Sequence, residues 1–400
     1  MKRRALRLPL EGYRVVEMAH HLAAPLAAMY LGDFGADVVK VETQEGEDWR
    51  RWGRSSPAGD SQLFLATNRN KRSLSLDYAS PTGRTVLERL LDRADVLLTN
   101  YAPAMLARLG LDPRTLARRR PRLIVCALAG FGRRGPDAHR RAFDLVVGGE
   151  TGLLLPHPDG RNAPLVNAAP IADTGSALML AYGVALALLA RERGGPTQPV
   201  ESSLLDACIA LQAHRFIWLE GDPAPETTPP PMAMYRAYPT ADGFVTIAVI
   251  AERLWQRLCR ALDLEALLSD PRYSPWARLV AQRGDTVLIE MLASRFRTRT
   301  TDEWLKILIE AGVPAGRVNS GREVFEHPQL ASNGVVMETR DPRAGRLRMM
   351  GFPLRLGRTP ARLRRHAPAL GADTRSVLRD LGYRPADIRR LLESRVAHAT

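Results

Sequence analysis

Apolar and polar positions follow two periods along the first 130 residues. Short runs at 13–18, 37–42, 73–77, 95–100 and 123–128 are rich in Val, Ile and Leu and predict strands. Between them, 23–32 mixes small and large apolar residues in a helical pattern, and a second helix opens at Ser80-Pro81 and runs to 93. Strands separated by helices imply right-handed crossovers and a parallel, Rossmann-like sheet, so the fold class is α/β. Such sheets bind ligands at the carboxyl ends of their strands. Those ends are His20-His21, Glu42-Thr43, Asn100-Tyr101 and Ala129-Gly130.

Further along, 176–190 is an apolar stretch of about fifteen residues, short of the ~20 that span a bilayer. It follows Asp173-Thr174, candidate N-caps, and ends at Arg191-Glu192-Arg193, which reads as a helix buried on all sides and predicts no membrane segment. The amino terminus resembles the basic start of a signal peptide, but Glu11, Arg14, Glu17 and His20-His21 break the apolar run, so export is not expected. A proline-rich break at 221–231 marks a linker. Beyond it, 235–249 reads as a hairpin turning at Asp242-Gly243, helices follow from 252 to about 311, and the tail carries helical patterns at 374–381 and 385–392. The expected domains are 1–220 (large), 221–233 (linker) and 234–325 (small α/β).

Composition changes the picture little. Of 400 residues, 45% are hydrophobic and 25% charged, as in ordinary globular proteins. Cys126, Cys208 and Cys259 are odd in number and widely spaced, which argues against a disulfide framework or a Cys-built zinc site and fits a reducing, cytoplasmic compartment. The net charge of +14 is nearly all arginine, with four lysines among 57 basic residues, and a coding bias alone would produce that imbalance. Basic clusters at 118–122, 133–134, 140–141 and 362–365 lack interleaved aromatics and any nucleic-acid-binding signature. An anionic ligand or a solvated face explains them; nucleic acid is not an expected partner.

Several groups could carry chemistry. Gly130 to Gly135 spells GxGxxG after a strand, yet Pro136-Asp137 follow where a helix should begin, so it reads as a glycine-rich loop. Asp173 is either a plain N-cap or a carboxylate whose ionised form the helix terminus favours by ~0.3–1 kcal/mol, suited to covalent catalysis. Asn100, Tyr101 and Arg108, with Arg140, Arg141 and Phe143, could grip a polyphosphate. His20, His21 and His139 are acid–base candidates. No metal-ligand spacing and no GxSxG are present.

The ordered set VVEMAHHLAAPLAAMYLGDFGADVVKVE (15–42), NRNKRSLSLD (68–77), DVLLTNYAPAMLARLGL (95–111), LAGFGRRGP (128–136), RRAFD (140–144), IADTGSALML (171–180), VESSLLDA (200–207), YPTADGFVTIAV (238–249), GVPAGRV (312–318) and APALGADTRSVLRDLGY (367–383) resembles the family III CoA-transferases, the CaiB/BaiF group. The resemblance implies that Asp173 attacks an acyl-CoA and passes through an acyl-aspartyl anhydride and an aspartyl-CoA thioester. It implies CoA contacts at His20, His21, Leu22, Ala23, Leu76, Asn100, Tyr101, Ala102, Arg108, His139, Arg140, Arg141 and Phe143, with Arg108 and Arg141 on the phosphates. CoA would enter as part of the substrate, with no tightly bound cofactor and no metal. It further implies an interlocked homodimer, a return linker at 326–345 and a segment at 346–400 that rejoins the large domain.

Departures from the family pattern narrow the chemistry. Leu22 replaces a glutamine of the formyl-CoA transferase-like members, Thr43 and Ala79 replace basic residues, and Gly148 replaces a frequent glutamine. The stretch 229–234 is proline-rich where oxalate-type members carry a glycine-rich loop. Formate and oxalate are therefore not expected; succinyl-CoA, common in related transferases, is the suggested donor and a carboxylic acid the acceptor. The runner-up within the family is an α-methylacyl-CoA racemase using His139 and Asp173, although His139 to Asp144 reads HRRAFD rather than the racemase-like HDxNY. A non-catalytic CoA- or nucleic-acid-binding module is a third reading, against which Asp173 stands.

Overall fold

The computed structural model describes residues 6–154, 168–221, 232–281 and 285–400. Most of the proline-rich linker, 222–231, lies outside them. Contacts divide the chain into one unit of residues 1–219 and 333–400 and a second of 220–332.

In the first unit six strands run parallel: β1 (Arg14–Met18), β2 (Asp37–Glu42), β3 (Lys71–Leu76), β4 (Val96–Thr99), β5 (Ile124–Ala129) and β6 (Val200–Ser203). Their order is β3-β2-β1-β4-β5-β6, with Val15 opposite both Val38 and Val96. Successive side chains of a strand point to opposite faces. Val15, Leu98 and Cys126 thus enter one core with helices Ala23–Asp33 and Ile171–Glu192, while Val16, Leu97 and Val125 enter another with helix Pro81–Leu91. Burial on both faces is why β1, β2, β4 and β5 carry adjacent apolar residues, whereas β3 alternates serine and leucine although nearly all of it is buried. β6, whose sequence is VESS, has no such run and is not predicted from pattern.

The long helix corrects two expectations. It spans 22 residues, Ile171–Glu192, so length and apolarity alone would let it cross a bilayer, but 44% of its most apolar window is buried in the protein. It is not buried on all sides. Ala172, Ala177, Leu180, Val184 and Leu188 face the core, whereas Leu178, Tyr182, Leu186 and Leu189 form an exposed stripe at helical spacing. An all-apolar helix carries no pattern that separates those two faces.

The second unit holds an antiparallel sheet of β7 (Tyr235–Pro239), β8 (Phe244–Ala248) and β9 (Ala315–Arg317), packed with Trp255, Phe296 and Trp304. Back in the first unit, β10 (Val336–Asp341) and β11 (Gly345–Met350) form a hairpin. Residues 326–345, expected as a linker, therefore carry helix Pro328–Ser332 and β10. Helices Thr374–Asp380 and Pro385–Glu393 join the second sheet core, and β12 (Ala397–His398) adds antiparallel to β3.

Charged side chains lie inside the parallel sheet. Glu17, Lys40 and Lys71 are essentially unexposed, with Lys40 Nζ 2.7 Å from Glu17 and 2.8 Å from Glu47, and Lys71 Nζ 2.7 Å from Glu17. Breaking a buried pair strands a charge, which costs more than the pair contributes. Lys40→Met leaves Glu47 without its cation and is expected to destabilise the protein by ~3–5 kcal/mol. Urea unfolding checks this: the midpoint falls while the slope holds.

Candidate active site

The strand order reverses direction between β1 and β4, and a crevice opens there at the carboxyl ends. A side chain closes it. The His20 N–H donates to Asn100 Oδ1 at 3.0 Å, and Asn100 Nδ2 donates to the His20 carbonyl at 2.8 Å. The next residue, His21, turns into the left-handed region at φ 65°, a conformation that costs a non-glycine residue ~1–2 kcal/mol. Its N–H donates to Glu47 Oε2 at 2.8 Å. The His20 ring stacks on Tyr101 at 5.0 Å, and the Tyr101 and Tyr78 hydroxyls share a hydrogen bond of 3.0 Å. Burial, aided by the nearby Lys40 ammonium, lowers the His20 imidazole to about 4, so this ring is neutral near pH 7 and is not a ready proton donor.

The crevice leads into two adjoining chambers. The outer, of about 720 Å³, is lined by His20, His21, Asn100, Tyr101, Ala102, His139, Arg140, Arg141 and Phe143, together with Arg133 and Gly130. The inner, of about 90 Å³, is lined by His20, His21, Leu22, Ala23, Asn100, Phe143 and Asp173, with Ala142 and Leu204. Gly130 sits in both walls, and a Cβ there would meet that of Ala142 at 2.5 Å, so the chain can pass only without a side chain. Arg140 lies over Phe131 and pairs with Asp137 and Glu150; Arg133 lies 3.6 Å from Glu201; Arg141 makes no ion pair among the described residues. Two expected residues line neither chamber. Leu76 is buried in the sheet core on β3, and Arg108 is exposed at the end of helix Pro103–Arg108, against the Met105 sulfur.

Asp173 occupies the first turn of the long helix. It is not the N-cap: that position is Pro170, and the Asp173 main-chain N–H donates to Asp144 Oδ1 at 3.1 Å. Nor is its ionised form favoured overall. Burial, and then the facing Asp144 charge, push its carboxyl up to about 7, which outweighs the helix terminus. Two residues on, Gly175 lets helix Leu204–Leu211 approach, since a Cβ there would meet Leu211 at 2.3 Å. Asp144, Glu47 and Arg133 escape sequence reasoning as site residues. Asp144 has one signal, its place within RRAFD, while Glu47 sits in a loop with none. Among the described residues, no group of three or more His, Cys, Asp or Glu side chains is placed to hold a metal.

The arrangement separates cations in an open groove from a half-buried carboxylate in a small chamber. A phosphate-bearing molecule could be gripped outside while its far end meets Asp173 inside. Comparisons with known proteins identify the family. The model for CoA-transferase family III matches residues 10–374. Succinyl-CoA:glutarate CoA-transferase of Mus musculus is 31% identical across 97% of this chain and 90% of the relative. Succinate–glutarate CoA-transferase of Agrobacterium fabrum is 33% identical across 93% of this chain and 96% of the relative. Among solved structures, a CaiB/BaiF family protein from Brucella suis superposes with a TM-score of 0.81 and 30% identity, covering 94% of this chain and all of that one.

The raised Asp173 carboxyl has a stability signature. Its folded value near 7 exceeds the ordinary value of 3.8, so folding is penalised as pH rises from about 4 to 7, and the penalty is constant above. Asp173→Asn is expected to stabilise the protein at pH 8 by up to ~4 kcal/mol, with the gain fading toward pH 4. Denaturation midpoints across that range provide the measurement.

Proposed function

The chain belongs to CoA-transferase family III, and we propose that this enzyme moves CoA from succinyl-CoA to a carboxylic acid through covalent intermediates on Asp173. The observation that carries this reading is Asp173 itself, placed in a small chamber that adjoins a cationic groove. The donor is supported by the relatives' names, several of which pair succinyl-CoA or succinate with a dicarboxylic acid; glutarate is the first acceptor to try.

The chemistry balances without net proton transfer. An Asp173 carboxylate oxygen attacks the thioester carbonyl, the C–S bond breaks, and CoA leaves as thiolate, giving a succinyl-aspartyl anhydride. The thiolate attacks the aspartyl carbonyl and releases succinate, leaving an aspartyl-CoA thioester. The acceptor carboxylate displaces CoA to form a second anhydride, and the thiolate then takes the acceptor's acyl group and frees Asp173. A carboxylate whose acid titrates near neutrality is a better nucleophile than an ordinary one. Arg141, with Arg133 and Arg140, anchors the CoA phosphates. Leu22 and Phe143 form the apolar wall beside the reacting carbonyl.

The racemase reading has less support, because His139 is exposed and lines the outer chamber, whereas Asp173 lines the inner one. An interlocked homodimer belongs to the proposal: the apolar stripe of the long helix and the groove beside it, lined by Tyr30, Phe34, Leu178, Tyr182 and Leu354, suit a second copy. A cytoplasmic setting suits three free, buried thiols.

Quenched mixtures of the enzyme and succinyl-CoA, examined by intact mass and peptide mapping, test the reading. A succinyl or CoA adduct on Asp173, absent from Asp173→Ala, is expected, with adduct formation slowing about tenfold per pH unit below 7. Deuterium entering the α-carbon of a 2-methylacyl-CoA without any adduct would instead identify a racemase. Arg141→Ala is expected to raise the KM for succinyl-CoA on the order of tenfold, read from initial rates.

A further inference from the structure

We propose that Glu47 is a positioning residue for the transfer: through the His21 main chain it fixes the wall of the chamber that holds Asp173, and Lys40 in turn fixes Glu47. The inference deepens the proposed reading and rests on it.

His21 lines both chambers from a left-handed conformation, which persists only where its surroundings over-determine it. The imidazole packs edge-on against Trp49 and Phe143, at ring-centroid separations of 5.8 and 5.5 Å, but its buried Nδ1 makes no hydrogen bond. The directional polar anchor of this residue is its main-chain N–H, through the 2.8 Å bond to Glu47 Oε2. That carboxylate is about 1% exposed, and its other oxygen, Oε1, lies 2.8 Å from Lys40 Nζ. Each oxygen therefore has one task. Lys40 is also tied to Glu17, at 2.7 Å, and to the Ala19 carbonyl, at 3.0 Å, while Lys71 Nζ lies 2.7 Å from the second oxygen of Glu17. The Glu47 main chain is fixed as well, its N–H reaching Glu42, which Arg50 grips through two bonds of 2.7 Å. The result is a buried row of alternating charges, Lys71, Glu17, Lys40 and Glu47, that meets the Pro25 carbonyl and Asn68 Oδ1 at its Lys71 end and the His21 N–H at its Glu47 end.

The choice of cation supports this assignment. The chain has four lysines against 53 arginines, and two of those four, Lys40 and Lys71, stand in this row. At Lys40 one compact ammonium lies between the carboxylates of Glu17 and Glu47. Burying such a row has no stability advantage over apolar packing, so what it secures is geometry. A charge-assisted bond to the N–H aims the His20-His21 turn at Asp173.

The test compares Glu47→Ala, Glu47→Gln and Glu47→Asp with the wild type in the succinyl-CoA adduct assay, alongside CoA affinity by calorimetry and thermal midpoints. Glutamine offers one oxygen for two tasks, and the ammonium takes it, so His21 loses its acceptor while the fold stays paired. Glu47→Gln and Glu47→Ala are expected to slow acylation of Asp173 on the order of 10²-fold, with CoA affinity within threefold of wild type, because the phosphates are held in the outer groove. Glu47→Asp, which keeps both oxygens, is expected to recover at least tenfold of the loss. Acylation at the wild-type rate in Glu47→Gln would overturn the proposal, as would a loss shared equally by acylation, CoA affinity and thermal midpoint in all three variants. If the wild type itself forms no adduct, the reading of Asp173 fails instead, and the two failures remain distinct.

Discussion

Two hydrogen bonds between Asn100 and the main chain of His20 join the segments that leave the carboxyl ends of β1 and β4. β1 and β4 are neighbours, but the chain leaves them in opposite directions, and the gap between their ends is a necessary product of that topology. An amide is suited to closing it, since it supplies an acceptor and a donor from one rigid plane. An aspartate would lack the donor, and an apolar residue would leave both His20 groups unpaired. The ring of His20 stacks on Tyr101 beside this clasp, the left-handed turn at His21 follows it in the chain, and His20 and Asn100 line both chambers.

Electrostatics divides those chambers. Arginines in the outer groove stay near water, where a cation costs little to keep and a phosphate can reach it. Inside, burial dominates. The helix terminus favours an ionised Asp173 by less than about 1 kcal/mol, whereas a carboxyl raised from 3.8 to about 7 reflects a cost several times larger. Asp144 adds to that cost while accepting the Asp173 N–H, so the same residue holds the helix start in place and helps to raise its carboxyl.

How far the sequence could be read depended on whether a signal was local. The strands β1, β2, β4 and β5 and the tail helices were legible because burial on both faces leaves adjacent apolar residues and because Pro81 and Pro385 open their helices. β6 and β10 were not, since a polar strand joins a sheet through partners far away in the chain. Asp173 and most of the residues that line the two chambers stand out through an ordered set of motifs rather than through any one of them. What stayed hidden was relational. Leu76 sits on the right strand, yet its side chain belongs to the core. Asp173 looked like a cap favouring its charge, and only the packing around it reverses the sign.

The neutral state of His20 bears on the kind of chemistry the site can support. A racemase must take a proton from carbon and return one, so it needs a base and an acid on opposite sides of the substrate. Thioester–anhydride exchange needs neither, because each step trades a carboxylate for a thiolate or the reverse. At the end of β1, burial and Lys40 hold His20 deprotonated, and the Tyr101 phenol beside it is raised well above its ordinary value by burial and by Tyr78. Neither group can readily change its protonation near pH 7. They are polar, uncharged walls of the outer groove, and the thioester–anhydride exchange proposed for Asp173 asks no proton of either.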